Sequence, residues 1–182
     1  MTVLARDVAA YSSLVRLAAA GDRVAFTRLV ATYHADMVRV AYVVSGGDQD
    51  IADDAAQSAW AIAWRKLGSV RDPERLKPWL LTVAANEARG ILRGQHRATV
   101  VEIDVADCEG FGADPAATLD GELDLERAIR HLSADNRSLL ALRYAAGLDS
   151  AEIGALTGRP AATVRWRLSR LLARLRKELS DA

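Results

Sequence analysis

The sequence predicts an all-α fold, arranged as two small helical bundles joined by a flexible acidic linker. Apolar residues recur at offsets of three and four along most of the chain, most clearly from Phe26 to Val44, which is the pattern of amphipathic helices. No segment shows the long apolar–polar alternation typical of strands. Residues 98–121 contain glycine, proline and six carboxylates without any period, as expected of a linker.

The first bundle is predicted within residues 1–97. Its clearest helix covers residues 22–44, where Asp22 can cap the N-terminus and Gly46 with Gly47 can end the helix. Pro78 is expected to open another helix, because proline fits a first turn and no later position. The expected helices are about Ala10–Ala20, 22–44, about Asp50–Leu67 and from Pro78 to about Arg93, with a polar loop at Gly68–Lys77.

Charge is unevenly distributed, although the whole chain has 24 basic and 24 acidic residues. Residues 1–97 carry 13 basic and 10 acidic groups (net +3), residues 98–121 carry none and 6 (net −6), and residues 122–182 carry 11 and 8 (net +3). A linker of this length is improbable inside one compact domain, so it indicates a domain boundary. Extended at ~3.3 Å per residue it reaches roughly 80 Å, which would let the two bundles bind separate sites at once.

The second bundle, residues 122–182, contains a helix-turn-helix pattern. Asp149 and Glu152 have the spacing of a capping box, Thr157 and Gly158 form a tight turn, and Pro160 opens a longer helix. A short and a long helix joined by a glycine-containing turn define the motif. The four expected helices cover about 122–132, 135–146, 150–157 and 160–179.

The second helix of this motif has one apolar and one basic face. From Arg159 to Lys177 there are seven basic residues and no acid. A solvated basic helix would explain charge alone, since Arg and Lys are good helix formers. Together with the capped short helix and the turn, the single-signed face favours DNA binding, in which cations neutralise phosphates and side chains reach base edges. The candidate contacts are Thr163, Arg165, Trp166, Arg167, Arg170 and Arg174; Trp166 could instead cover a partner helix.

An acidic surface is predicted on the helix that starts near Asp50. Asp50, Asp53, Asp54 and Gln57 share one side of it, because offsets of three and four stack on a helix. Without a histidine or another convergent carboxylate nearby, this group is a poor acid–base pair. It is either solvated surface or a docking surface for a basic partner.

A basic and aromatic segment follows. Residues 65–97 carry eight basic groups against three acids, interleaved with Trp79 and preceded by Trp64. Cations and aromatic rings together suit single-stranded nucleic acid, whose bases stack on the rings. The alternative is that both tryptophans belong to the core.

Several functional classes are excluded by composition. The lone Cys108 allows no internal disulfide, and no Cys/His set has zinc-site spacing. No apolar run approaches the ~18 residues of a membrane span, and charges interrupt the N-terminal apolar stretch, unlike a signal peptide. His34, His96 and His131 are far apart without a partner motif. We therefore expect a non-enzymatic cytoplasmic protein with no catalytic residue, metal or cofactor.

Four segments, in this order, resemble the extracytoplasmic-function (ECF) sigma factors, the two-domain minimal branch of the sigma-70 family. GDRVAFTRLVATYHADMVRVAY is similar to the first helix of the promoter-melting domain, and DIADDAAQSAWAIAWRKL to the helix that docks on the polymerase. PWLLTVAANEARGILR is similar to the −10 recognition segment. HLSADNRSLLALRYAAGLDSAEIGALTGRPAATVRWRLSRLLARLR is similar to the −35 recognition domain.

The resemblance implies a transcription initiation factor of three parts. Residues 1–97 would be a region 2-like domain that docks on core RNA polymerase and recognises and melts the −10 element. Residues 98–121 would be the linker, and residues 122–182 a region 4-like domain that recognises the −35 element. The implied partners are core RNA polymerase, through its β′ clamp helices and β flap, promoter DNA and an anti-sigma factor.

The resemblance also assigns residues. The acidic surface of Asp50, Asp53, Asp54 and Gln57 would contact the polymerase, and Gly68–Lys77 with Asn86 would hold a base extruded from the −10 strand. The implied −10 contacts are Arg71, Lys77, Trp79, Asn86, Arg89 and Arg93.

The chain departs from the family pattern in three places. Ala55 and Ala56 replace bulkier apolar residues of the docking helix, Gly90 interrupts the −10 helix at a cost of ~1 kcal/mol relative to alanine, and Trp166 stands where a small polar residue is usual. The linker charge adds the hypothesis that the linker covers the basic faces in the free protein. The alternative function is a stand-alone helix-turn-helix regulator whose N-terminal block senses a ligand or dimerises, and which binds duplex DNA by itself.

Overall fold

The computed structural model describes residues 2–100 and 121–180, with side chains at 10–95 and 125–180. Within these ranges the chain is helical, with turns and no strand, which confirms the all-α prediction. The helices are α1 (Thr2–Ala19), α2 (Arg23–Ser45), α3 (Gln49–Lys66), α4 (Leu76–Val100), α5 (Gly121–Arg130), α6 (Ala134–Leu140), α7 (Ser150–Thr157) and α8 (Ala161–Ser180). A π-type segment, Ala141–Ala145, follows α6, and short 3₁₀ turns lie at Leu67–Ser69 and Pro73–Arg75.

Helices α1–α4 form the N-terminal unit, whose core combines large side chains with small ones. Leu29, Met37 and Val40 of α2 are fully buried, and the helices facing them present alanines. Small residues let helix axes approach closely, so that the large side chains of α2 fill the space between them. The fully buried alanines are Ala52, Ala55, Ala56, Ala59 and Ala63 of α3 and Ala84, Ala85 and Ala88 of α4.

The predicted boundary signals of α2 are present. The Asp22 carboxylate accepts a hydrogen bond from the Ala25 amide at 2.9 Å, which satisfies one of the amides that a helix start leaves free. Gly46 ends the helix with φ +84°, a left-handed conformation that favours glycine. Sequence reasoning missed a second cap, Asp48, which accepts from the Ile51 amide at 3.0 Å and starts α3.

Two helices are longer than predicted. Helix α1 begins at Thr2 rather than near Ala10, and α4 begins at Leu76 and runs to Val100 rather than from Pro78 to Arg93. Pro78 still lies in the first turn of α4, where its missing N–H leaves no hydrogen bond unmade. The helix passes through Gly90 and Gly94 without interruption, because flanking residues hold the helical conformation.

Replacing Gly90 with alanine should stabilise the protein. A Cβ at this exposed position would meet no atom within 4 Å, and alanine loses less backbone entropy than glycine in a helix. We expect a gain of ~0.5–1 kcal/mol in the free energy of unfolding, measured by urea titration. Gly21→Ala is the matched control, since its Cβ would be equally free of contacts but φ is +93°. That variant should be destabilised, and a gain there would contradict the backbone explanation.

Helices α5–α8 form the C-terminal unit, and the predicted helix-turn-helix is present in α7 and α8. Asp149 and Glu152 make a complete capping box, and Gly158 ends α7 at φ +69°. Ile153 of α7 packs with the apolar face of α8, which is buried through Val164, Leu168, Leu171 and Leu175. Since α4 extends to Val100 and α5 starts at Gly121, most of the predicted linker, and its hypothesised masking role, lies outside the described residues.

The two units also pack against each other, which the sequence did not predict. Helix α6 and the π-type segment lie on α2 and α4, and Val44, Leu140 and Ala141 are buried in the shared core. Arg137 of α6 donates from Nε to the Val44 carbonyl at 2.7 Å. This interface brings predicted −10 residues close to the C-terminal unit.

Candidate nucleic-acid interface

The exposed face of α8 is the first candidate surface. All six predicted −35 residues, Thr163, Arg165, Trp166, Arg167, Arg170 and Arg174, are exposed, because the apolar residues between them face the core. From Thr163 to Arg174 the helix carries four arginines and no acid. The helix-turn-helix therefore presents a positively charged surface on a helix that is rigidly held on its other side.

Trp166 and Arg170 form a pair on this face. The Arg170 guanidinium lies 5.0 Å from the centre of the Trp166 ring, one helical turn away, and the indole is 57% exposed. A cation over an indole face is stabilised by the ring quadrupole, which reduces the freedom of the arginine. Trp166 therefore does not cover another helix among the described residues, and it orients a cation instead.

Arg174 differs from the other arginines of this surface. Its Nε lies 2.8 Å from Glu178 Oε1 one turn later. An exposed ion pair at this spacing is weak and exchanges readily with a phosphate. The structure thus leaves Arg174 available at the C-terminal end of the basic face.

The predicted −10 residues fall into two groups in the structure. Asn86 and Arg93 are exposed and seven residues apart on α4, so at 100° per residue they lie on the same face, with Arg89 beside them. The Arg89 guanidinium donates from Nη2 to Asn86 Oδ1. Trp79 lies on the same face but is half-buried against the core. Its position agrees with both roles considered for it, a core residue and a ring on which a base stacks.

Lys77 and Arg71 lie apart from that face. Lys77 Nζ forms an ion pair with Asp36 Oδ2 of α2 at 2.8 Å, on the side of α4 opposite Asn86. Arg71 is exposed in the loop between the two 3₁₀ turns. The loop is itself ordered by the Asp72 carboxylate, which accepts from the Glu74 amide at 3.0 Å.

The acidic surface of α3 has the predicted geometry. Asp50, Asp53, Asp54 and Gln57 are all exposed, while the alanines of the opposite side are buried. Gln49 Nε2 donates to Asp53 Oδ1 at 3.1 Å, so Asp53 is already engaged on its own helix. Caps at both ends of α2 and at the start of α3 hold this helix in place.

An aromatic cluster supports the start of α2 against α3. The ring of Phe26 meets Trp60 edge-on at 5.5 Å and Trp64 at 4.8 Å between centroids. Trp60 Nε1 donates to His34 Nδ1 at 3.3 Å. His34 is therefore a structural partner of a tryptophan.

Two charged residues of α6 were missed by sequence analysis. Asp135 Oδ1 accepts from Arg89 Nη1 at 2.8 Å, and Arg137 binds carbonyls at the end of α2. Burial lowers the pKa of Arg137 from its usual range, because the charged form is desolvated. No local pattern signals either contact, since the partners are 46 and 93 residues away.

A cleft separates the −10 face of α4 from the helix-turn-helix. It has a volume of about 290 Å³. Asn86 and Arg89 line one side, and Arg159 and Arg167 line the other, over a floor that includes Ile153. Residues from both predicted DNA-binding sets thus share one space.

The part of the chain that the structure describes holds no cluster of three or more metal-binding side chains. Over the same residues, no helix combines the length and apolar character needed to cross a bilayer.

The fold and its exposed basic faces define an all-helical protein with a helix-turn-helix unit, and comparison with known proteins specifies its family. The family model for Sigma-70 region 2 matches residues 29–98, and that for Sigma-70, region 4 matches residues 122–175. The ECF RNA polymerase sigma-E factor of Escherichia coli K12 is 32% identical over 170 residues, covering 86% of this chain and 87% of that protein. The chain belongs to the ECF sigma factors of the sigma-70 family.

Two further matches extend this comparison. The probable RNA polymerase sigma factor RfaY of Xanthomonas campestris pv. campestris is 34% identical over 170 residues, which cover 89% of this chain but 42% of that protein. The sigma factor RpoE of Bartonella quintana, solved in complex with the anti-sigma factor NepR, is 29% identical with a TM-score of 0.66. That match covers 85% of this chain and 96% of RpoE.

Proposed function

We propose that this chain is a dissociable, non-enzymatic subunit that binds core RNA polymerase and directs promoter-specific initiation in the cytoplasm. The observation that carries the proposal is the exposed face of α8, which has four arginines and no acid from Thr163 to Arg174 on a complete helix-turn-helix. The chain also presents a second polar face on α4. Two DNA-binding surfaces on two units suit two promoter elements.

The C-terminal unit binds the −35 element in this proposal. Helix α8 enters the major groove with its N-terminal part, where Thr163, Trp166, Arg167 and Arg170 reach base edges and sugars. Arg165 and Arg174 contact phosphates at the sides of the groove. The Trp166–Arg170 pair presents one cation in a defined direction, which favours a specific guanine contact over a mobile charge.

The N-terminal unit binds and melts the −10 element. Asn86, Arg89 and Arg93 form one face of α4 on which a displaced strand can lie, and Gly68–Lys77 with Asn86 hold a flipped base. Unstacking that base costs a few kcal/mol, which hydrogen bonds to its edge and stacking must offset. Trp79 in the first turn of α4 adds to this face. Arg71, in the preceding loop, and Lys77, on the opposite side of α4 from Asn86, contact the DNA outside it.

The acidic surface of α3 docks on the β′ clamp helices of the polymerase, and the C-terminal unit contacts the β flap. Asp54 and Gln57, both exposed on α3, are the principal contacts in this proposal. A protein of the anti-sigma class is the expected regulator, supported by the similarity to RpoE, which was solved with NepR.

Charge reversal at Asp54 should separate the chain from the polymerase. Asp54→Arg puts a cation against a basic partner, and losing a buried interfacial charge contact costs ~2–5 kcal/mol, so the affinity should fall at least ~30-fold. The measurement is binding of labelled full chain to purified core polymerase, with run-off transcription from a genomic promoter library as the second readout. Glu126→Arg is the control, since Glu126 is an exposed acid on α5.

The same experiment decides between the two candidate functions. A sigma factor joins core polymerase and supports run-off initiation, whereas a stand-alone regulator binds duplex operator DNA and gives no complex with the polymerase. Failure of the unmodified chain to bind core polymerase would reject the proposed function.

A further inference from the structure

We propose that Tyr11 of α1 is a positioning residue for selection of the −10 base. Together with Tyr33 of α2 it holds the Pro73 carbonyl, and so fixes the loop Gly68–Lys77 in the place where it receives the flipped base. The proposal rests on the proposed function for the role of this loop. It extends −10 selection to α1, whose Tyr11 lies outside residues 29–98, the part of the chain that matches Sigma-70 region 2.

The first argument is a chain of two hydrogen bonds that joins three segments of the N-terminal unit. The Tyr33 hydroxyl donates to the Tyr11 hydroxyl at 2.9 Å between oxygens. The Tyr11 hydroxyl in turn donates to the Pro73 carbonyl oxygen at 3.4 Å. Both tyrosines are half-buried, so a hydroxyl that lost its partner would not be fully compensated by water. The chain therefore favours one position of Pro73 relative to α1 and α2.

The Tyr11 phenol is held in the form that can donate. Burial raises the pKa of Tyr11, and the neighbouring Tyr33 raises it further, because both disfavour the phenolate. A protonated phenol has one O–H to give, and the Pro73 carbonyl accepts it.

The second argument is the place of the Pro73 carbonyl in the loop. It also accepts a hydrogen bond from the Leu76 N–H, and Leu76 is the fully buried first residue of α4. One oxygen thus links the 3₁₀ turn Pro73–Arg75, the start of α4 and the tyrosine pair. A shift of this oxygen would move the turn with it.

The third argument is that burial alone does not hold the loop. Its flanks are fixed by the buried Leu67 and Leu76, but most of the residues between them are exposed: Gly68, Ser69, Arg71, Asp72, Glu74 and Arg75. Helix α1 packs on both 3₁₀ turns, and a Cβ on Gly68 would lie 3.9 Å from the Ala19 carbonyl oxygen. The position of the loop therefore depends on α1, and the Tyr11 hydroxyl is a directed contact between them.

A fixed loop matters for base selection more than for binding of the DNA backbone. Hydrogen bonds to a base edge require donors and acceptors within a few tenths of an ångström of the right place. A loop that samples several positions must be ordered when the base binds, which lowers the affinity for the preferred base. Contacts with phosphates depend much less on this geometry, so loss of the tether should reduce preference rather than binding as a whole.

The first experiment measures the tether in the free full chain by amide hydrogen exchange, followed by NMR. Tyr11→Phe keeps the ring and removes both hydrogen bonds, and the Arg75 and Leu76 amides should then exchange about two- to fivefold faster. This is the lower part of the range for a neutral hydrogen bond, because the bond to Pro73 is long. The Ile51 amide, bonded to Asp48, should keep its rate and serves as the internal reference.

Two further variants distinguish the tether from a general loss of packing. Tyr33→Phe leaves the bond from Tyr11 to Pro73 in place, so it should accelerate exchange less than Tyr11→Phe. The double variant should match Tyr11→Phe, since that change already removes both bonds. Tyr42→Phe is the matched control: Tyr42 is 40% exposed near the end of α2, where a Cβ on Gly47 would lie 3.5 Å from its hydroxyl. It should leave the loop amides unchanged.

The second experiment measures base selection in the holoenzyme assembled from the chain and purified core polymerase. The template is a run-off library of promoters whose −10 positions are randomised, and the transcripts are sequenced. For Tyr11→Phe, the ratio between the most and the least favoured base should fall about two- to fivefold at one −10 position. The other positions should keep their preferences, as all positions should in Tyr42→Phe. A chain that was merely destabilised would lower the yield from all sequences alike.

Two results would overturn the proposal. Loop amides that exchange at the same rate in Tyr11→Phe and Tyr42→Phe would show that the hydroxyl pair does not hold the loop. Faster exchange with unchanged preference at every −10 position would show that the tether does not position the base. Failure of the proposed function is a separate outcome, seen as no complex of the unmodified chain with core polymerase, and it would remove the base-selecting role of the loop whatever the exchange rates.

Discussion

Reversing the charge of both Arg167 and Arg170 is expected to abolish initiation at promoters that depend on the −35 element, with a loss of about 100-fold or more. Each residue is exposed on α8, within the stretch from Thr163 to Arg174 that carries four arginines and no acid. A good base contact is worth ~1–3 kcal/mol. Arg167→Glu with Arg170→Glu removes both contacts and adds two negative charges beside phosphates. The measurement is run-off transcription with saturating core polymerase, compared at −35-dependent and −35-independent promoters.

The matched control for this prediction is Arg176→Glu. Arg176 is exposed on the same helix, but at 100° per residue it points away from Arg167, two turns closer to the C-terminus. The Arg176→Glu variant should reduce initiation only through the general electrostatic effect of replacing one cation. Equal losses in the control and the double variant, or full activity of the double variant, would contradict the assignment of α8 to the −35 element.

The second large effect is expected at Gly154, in the helix-turn-helix. A Cβ at this position would lie 2.5 Å from the Arg159 carbonyl oxygen and 3.3 Å from the Ala161 nitrogen. Both are backbone atoms of the turn and of the start of α8, so they cannot move aside as a flexible side chain would. Gly154→Val should therefore destabilise the C-terminal unit by ~3 kcal/mol or more and remove its DNA binding.

Ala155→Val controls for the introduction of a β-branched residue into α7. Ala155 is exposed, so the change should cost less than ~1 kcal/mol, the difference in helix propensity. The free energies of unfolding of the two variants are compared by urea titration monitored by circular dichroism. Their DNA binding is measured with a duplex that contains the −35 element. A Gly154→Val variant as stable as Ala155→Val would mean that α7 and α8 are farther apart than the structure places them.

Local features were well predicted from the sequence because their causes are local. The cap at Asp22, the capping box of Asp149 and Glu152, and the left-handed Gly46 and Gly158 depend on residues within four positions of one another. The basic face of α8 follows from helical periodicity and from the absence of acids between Arg159 and Lys177. Helical periodicity likewise explains the exposure of Asp50, Asp53, Asp54 and Gln57.

Helix lengths were predicted less well. Helix α1 starts eight residues earlier than the sequence suggested, and α4 extends seven residues further. Weak periodicity and the glycines of α4 led to the prediction of shorter helices. Packing against neighbouring turns and the cooperativity of helix formation outweigh the helix-propensity penalty of a glycine, ~1 kcal/mol.

By itself, the sequence determined the helical class, the helix-turn-helix and which faces of α3 and α8 meet solvent, because each follows from spacing along the chain. Tertiary structure alone decided that Lys77 pairs with Asp36, that Trp79 is half-buried, and that Arg89 meets Asp135. These contacts join residues 41 to 46 positions apart or depend on how whole helices pack. The two ion pairs contribute about 1 kcal/mol each and leave no pattern in the sequence, yet they decide which of the predicted DNA-binding side chains are engaged within the protein.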